Sequence, residues 1–145
     1  STESWAGAAT MILETRIVIT TRICLIKSSR MYGLDLGSIA LAVLSACETN
    51  VGESYAGEGV FALSRGFLAA GAQRVVATQW QVADDATSVL IGAFFEVIAE
   101  AERVGETVDY ARALRDAKLR VRNDVDNPHW ADPYYWAAFT ITGQR

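Results

Sequence analysis

The chain has 145 residues and a formal charge of -4, with 51% apolar and 21% charged residues; this excludes a disordered chain or a coiled coil, and the length suits one domain or part of one. The acidic balance, with an isoelectric point near 4.9, argues against a general nucleic-acid or anionic-membrane binder, because such partners require a surplus of Lys and Arg.

Cys24 and Cys47 are the two cysteines, and with a single histidine, His129, they offer no zinc-ligand spacing and too little for a disulfide framework. A reducing, cytoplasmic setting is the simpler assumption. Glu3, Glu14 and Arg16 interrupt the stretch where an export signal would need its apolar core. The uncharged run Ile39 to Cys47 is far shorter than the ~20 residues of a membrane-spanning helix. The chain begins with Ser1 rather than methionine, and we expect a piece of something longer.

Residues 1–30 repeat Thr-Arg-Ile at 15 to 17 and at 21 to 23 without turn chemistry between them. They form an unassigned, strand-prone segment, distinct from the domain expected over 31–145. Ile39 to Ala46 is a short apolar run between Gly37 and the polar Glu48-Thr-Asn50, the pattern of a strand buried on both faces of a parallel sheet. Asn50 to Gly59, with Gly52, Gly57 and Gly59 among polar residues, reads as a loop. Val60, Leu63, Phe67 and Ala70 then recur at helical spacing, and Gly71 stands at the position of a C-terminal cap.

Gln73 to Thr78 is the next predicted strand, so strand, helix and strand follow one another as a right-handed parallel crossover requires. The class is α/β. Asp84 or Asp85 is placed to cap a helix with Leu90, Phe94, Val97 and Ala101 inward. A further helix follows Thr107, with Tyr110, Leu114, Ala117 and Val121 inward. Its basic residues Arg112, Arg115, Lys118 and Arg122 read as a solvated face paired with Asp109 and Asp116. Pro128 and Pro133 break the chain, and Tyr134 to Ile141 is predicted as a last aromatic and β-branched strand.

Cys47 follows a buried strand and precedes a Gly-rich loop, the end of a parallel strand where open α/β sheets place their ligand sites. A thiol there can act as a nucleophile if a base makes the thiolate and N–H donors hold the oxyanion. On the residues alone, a small buried hydrophobe is the commoner role of a lone Cys beside a strand. Gly57-Glu-Gly-Val-Phe-Ala62 also fits a dinucleotide-binding pattern. A nucleotide-binding domain is nevertheless disfavoured, because the glycines do not directly follow the strand and Glu58 would repel a pyrophosphate.

Leu34-Asp-Leu36, Ala42-Val-Leu-Ser-Ala-Cys-Glu-Thr49, Gly57-Glu-Gly59, Phe67-Leu-Ala-Ala-Gly-Ala72, Trp80-Gln-Val-Ala-Asp-Asp85 and Pro133-Tyr-Tyr-Trp-Ala-Ala-Phe139 together resemble the C-terminal half of a CHAT domain. This is a caspase-like module of the separase-related cysteine-peptidase clan, often attached to tetratricopeptide repeats. The resemblance implies a caspase-like three-layer sandwich with a mainly parallel sheet, here incomplete at its N-terminus. It implies Cys47 as peptidase nucleophile, with a polypeptide substrate or partner and no metal or organic cofactor. In separases a Trp-x-Val-x-Asp stretch similar to Trp80, Val82 and Asp84 places an aspartate against a basic substrate side chain. Asp84, with Ser45 and Trp80, would then shape a pocket that favours Arg; helix capping remains the other role open to Asp84.

Active members of the family carry a His-Gly pair upstream of the nucleophile, whereas positions 1 to 46 contain no histidine. His129 falls in the variable stretch ahead of Pro133-Tyr-Tyr-Trp136 and does not match a catalytic position. The isolated chain is therefore expected to be inactive as a peptidase. The rival reading is a catalytically inert caspase-like module for signalling or scaffolding.

Overall fold

The structure, a computed structural model, describes residues 10–13, 17–20, 39–44 and 64–144. They divide into two compact units, one holding the described residues up to Gln81 with Thr140–Gln144, the other Val82–Phe139. Leu34 to Leu36, Ser45, Cys47 and the Gly57 to Gly59 loop lie outside the described residues.

The first unit is built on a sheet of strands β1 (Thr10–Leu13), β2 (Ile17–Thr20), β3 (Leu41–Leu44), β4 (Arg74–Thr78) and, from Thr140 on, β5 (Phe139–Gly143), in that spatial order. β1 and β2 are antiparallel, with Leu13 opposite Ile17, and both fall within the first thirty residues. β2, β3 and β4 run parallel, with Val18 opposite Ala42 and Ala42 opposite Val75. At β5 the Gln144 amide donates to the Gln73 carbonyl at 2.9 Å and the Thr140 hydroxyl donates to the Ala77 carbonyl at 3.3 Å. Chain positions descend on β4 as they rise on β5, the order of an antiparallel pair.

All four residues of β3 are buried, as are Val75 to Thr78 of β4. This is why the sequence reads there as a continuous apolar run rather than an alternation. Ala42 and Leu44 of β3, Val75 and Ala77 of β4, and Phe67 and Ala72 form one cluster, with Ile39 and Leu68 half-buried against it. Phe67 belongs to helix α1, described over residues 64–69. The Gly71 amide donates to the Leu68 carbonyl at 3.1 Å and the Ala72 amide to the Phe67 carbonyl at 3.0 Å. That pair is a Schellman motif, and Gly71 at φ 109° is its left-handed residue, as the sequence predicted.

The second unit is a helix hairpin of α2 (Asp84–Arg103) and α3 (Tyr110–Arg122), followed by 3-10 turns at Pro128–Ala131 and Pro133–Tyr135. α2 buries Ala86, Leu90, Ala93, Phe94 and Ile98. Leu90 and Phe94 match the predicted stripe, but Val97 is exposed and Ala101 only half-buried. Val97 and Ala101 share the helix face of Leu90 and Phe94, so helical periodicity places them correctly on that face but does not decide how completely each position is covered. α3 buries Ala113, Leu114, Ala117 and Val121, with Tyr110 half-buried. Fully burying a side chain such as Phe94 or Leu90 is worth about 1.5–3 kcal/mol, so these two residues anchor the hairpin.

Asp109 is the N-cap of α3, its carboxylate accepting from the Arg112 amide at 2.9 Å. The sequence reading had it as a partner of basic side chains. The expectation for α2 is also corrected, because its N-cap is Ala83 and neither acid takes that place. Asp84 and Asp85 instead occupy the first turn, favourable for negative charge at the helix's positive end, and Asp85 accepts from the Ala86 amide at 2.8 Å. Tyr134 to Ala138 are not strand. Asp132 accepts from the Tyr134 amide at 2.8 Å and Pro133 starts a 3-10 turn, so local turn chemistry overrides the strand propensity of the aromatics.

Candidate active site

Ser45, Ala46 and Cys47 follow Leu44 directly in the chain, and Gln79 and Trp80 follow Thr78. Because β3 and β4 are parallel and in register from Ala42 opposite Val75 to Leu44 opposite Ala77, the carboxyl ends of the two strands, Leu44 and Thr78, lie at the same edge of the sheet. This is the edge where parallel sheets assemble ligand sites from loops, since the strands hold the loop roots rigidly while the loops stay accessible.

The root of the β4 loop is held by groups far apart in sequence. Gln79 Nε2 donates to the Thr140 hydroxyl at 3.0 Å, and that hydroxyl donates in turn to the Ala77 carbonyl at 3.3 Å. This relay fastens the start of β5 to the end of β4 beside Trp80. No sequence signal points to it, because Gln79 and Thr140 are 61 positions apart and are ordinary polar residues. Thr78 is buried at 3% exposure, a polar end to an otherwise apolar strand. Trp80 itself is 40% exposed.

Asp84 opens α2 with an exposed side chain, and its carbonyl accepts from the Ser88 hydroxyl at 2.9 Å. The carboxylate therefore stands at a helix N-terminus without serving as the cap. Among the four residues singled out from the sequence, Trp80 and Asp84 are described, while Ser45 and Cys47 lie outside the described residues.

His129 is exposed and packs edge-on against Tyr135 at 5.4 Å and Trp130 at 6.0 Å between ring centres. Its surroundings are those of an aromatic cluster in the 3-10 segment. Among the described residues no group of three or more His, Cys, Asp or Glu side chains is arranged to hold a metal ion. No described helix is long and apolar enough to cross a membrane.

The chain is 33% identical to Tetratricopeptide repeat protein 28 of Mus musculus over 111 residues, which is 76% of this chain and 4% of that protein. It thus spans a small fraction of the curated relative it matches. No solved structure matches it. Residues 9–144, reaching into the segment before Met31 that the motifs left unassigned, match the CHAT domain. The chain belongs to the CHAT domain family.

Proposed function

We propose that the chain is the nucleophile-bearing part of a caspase- or separase-type cysteine endopeptidase, a protein hydrolase with a caspase-like sandwich fold. Cys47 attacks the scissile carbonyl, and its own backbone amide supplies one donor to the oxyanion of the tetrahedral intermediate. Ser45, Trp80 and Asp84 form the pocket for the residue before the cleaved bond. A carboxylate and an indole are side chains that suit an arginine, which pairs bidentately with the first and stacks on the second. The base comes from a histidine outside this sequence, in a parent polypeptide that also carries tetratricopeptide repeats and works in the cytoplasm.

The observation that carries the reading is the fully buried β3, parallel to both neighbours and leading straight into Ser45-Ala-Cys-Glu-Thr49. Membership of the family supports it. The test is hydrolysis of a fluorogenic Arg peptide by the parent polypeptide, by its Cys47→Ala variant and by the 145-residue chain alone. We expect turnover by the parent only, since a thiol without a base is only a few per cent thiolate at neutral pH. Equal turnover by the Cys47→Ala variant would defeat the assignment.

No histidine stands among the residues before Cys47 in this sequence, and a second reading applies where the parent polypeptide supplies none either. In that case the fold serves as an inert scaffold or signalling module. A parent that neither turns over peptides nor reacts at Cys47 with an Arg chloromethyl ketone would establish it.

A further inference from the structure

We propose that the face of α3 carrying Arg115, Lys118 and Arg122, with Trp136 beside it, is a docking site for a short acidic polypeptide segment. Five of the six Lys and Arg residues between Val82 and Phe139 lie on this one helix, in a chain whose net charge is negative. With Ala113, Leu114, Ala117 and Val121 buried, Arg115 and Arg122 fall on the exposed side of the helix and Lys118 at its half-buried border, the three spaced three and four apart.

The cations differ in how they are compensated. Arg120 pairs with Glu96 of α2, and Arg112 and Arg115 share Asp116, at 3.8 and 2.8 Å. Lys118 and Arg122 have no carboxylate partner among the described residues. They are one turn apart, so their like charges repel. Lys118 is also half-buried, and desolvation holds its ammonium pKa below the ordinary lysine value. Arg122 is held in place, its guanidinium carbon 5.9 Å from the centre of the Trp136 ring, which is itself tied by Nε1 donating to the Ala131 carbonyl at 3.4 Å. A carboxylate between Lys118 and Arg122 would relieve both the repulsion and the unpaired desolvation.

Arg115 to Arg122 spans about 10 Å of helix, the length of about three residues of extended peptide. Asp109 caps the near end of α3, and Asp124 and Asp126 follow its far end. A long polyanion such as RNA would run onto these acids, whereas a short Asp- or Glu-rich segment stops before them.

The experiment measures fluorescence anisotropy of labelled hexaglutamate, hexaglutamine and hexauridylate against the 145-residue chain at low salt. Hexaglutamate should bind best and weaken as salt rises. Two lost charge pairs should weaken that binding about tenfold in Lys118→Gln/Arg122→Gln, while Arg103→Gln, on α2, leaves it unchanged. Lys118→Gln alone should melt no lower than the parent chain, because it removes a half-buried charge without a partner. The proposal is overturned by absent hexaglutamate binding, by a double variant within twofold of wild type, or by tighter hexauridylate binding lost in the same variant. A marked fall in the melting temperature of Lys118→Gln would overturn it too, showing a structural lysine.

Discussion

The Gln73 carbonyl oxygen occupies the space that a side chain on Gly143 would need: a Cβ there would lie 2.2 Å from it and 2.8 Å from the Arg74 Cα. Both obstacles are backbone, so neither can swing aside, and Gly143 also holds φ at 129°. Gly143→Ala must break the closing contact of β5 on β4, where the Gln144 amide meets that same carbonyl. Backbone strain of this kind costs about 1–3 kcal/mol, and we expect a loss at the upper end of that range in urea unfolding. A change below 0.5 kcal/mol, roughly what an ordinary surface substitution gives, would refute the close approach.

Two other glycines should respond in opposite directions. Gly71 holds the left-handed position of the Schellman motif, so Gly71→Ala should destabilise by about 1–2 kcal/mol. Gly92 lies inside α2 with nothing within 4 Å of an added Cβ. Gly92→Ala should stabilise by about 0.5–1 kcal/mol, because alanine restricts the unfolded chain and suits the helix interior. Thermal melts of the two variants against wild type decide both signs.

Lys118 implies a particular pH dependence. Its folded-state pKa lies below the ordinary lysine value of 10.5 because burial disfavours the ammonium. Below the folded value both folded and unfolded chains hold the proton, and the desolvation penalty is fully present. As pH rises through the folded value towards 10.5, the folded chain releases its proton first and the penalty fades. Lys118→Gln should therefore be the more stable protein at pH 7, and the difference should shrink by about pH 10. Urea titrations at the two pH values test this, and a difference that grows would contradict it.

Asp84 offers the sharpest test of specificity in an active parent polypeptide. Its side chain is exposed and Ala83 is the N-cap of α2, so Asp84→Asn should leave folding almost unchanged. If the carboxylate receives an arginine, removing its charge leaves that guanidinium unpaired, a loss of about 2–5 kcal/mol. We expect kcat/KM for an Arg peptide to fall by about two orders of magnitude or more. A fall below threefold at equal melting temperature would remove Asp84 from the pocket.

What the sequence determined by itself was local or repetitive. β3 and β4 were legible because strands buried on both faces must be apolar throughout, and Gly71 because only glycine takes its conformation cheaply. The motifs around Cys47, Trp80 and Asp84 were legible as a family pattern, without their geometry. Tertiary structure decided how completely one helix face is covered: Ala93 and Ile98 of α2 are buried while Val97 is exposed and Ala101 half-buried, although helical periodicity puts all four on the same side. It also decided that Asp132 and Pro133 turn Tyr134 and Tyr135 out of a strand, and that Gln79 meets Thr140 across the sheet. Hydrogen bonds between distant polar residues leave no periodic trace in a sequence, since either partner looks like any other surface residue until the fold brings the two together.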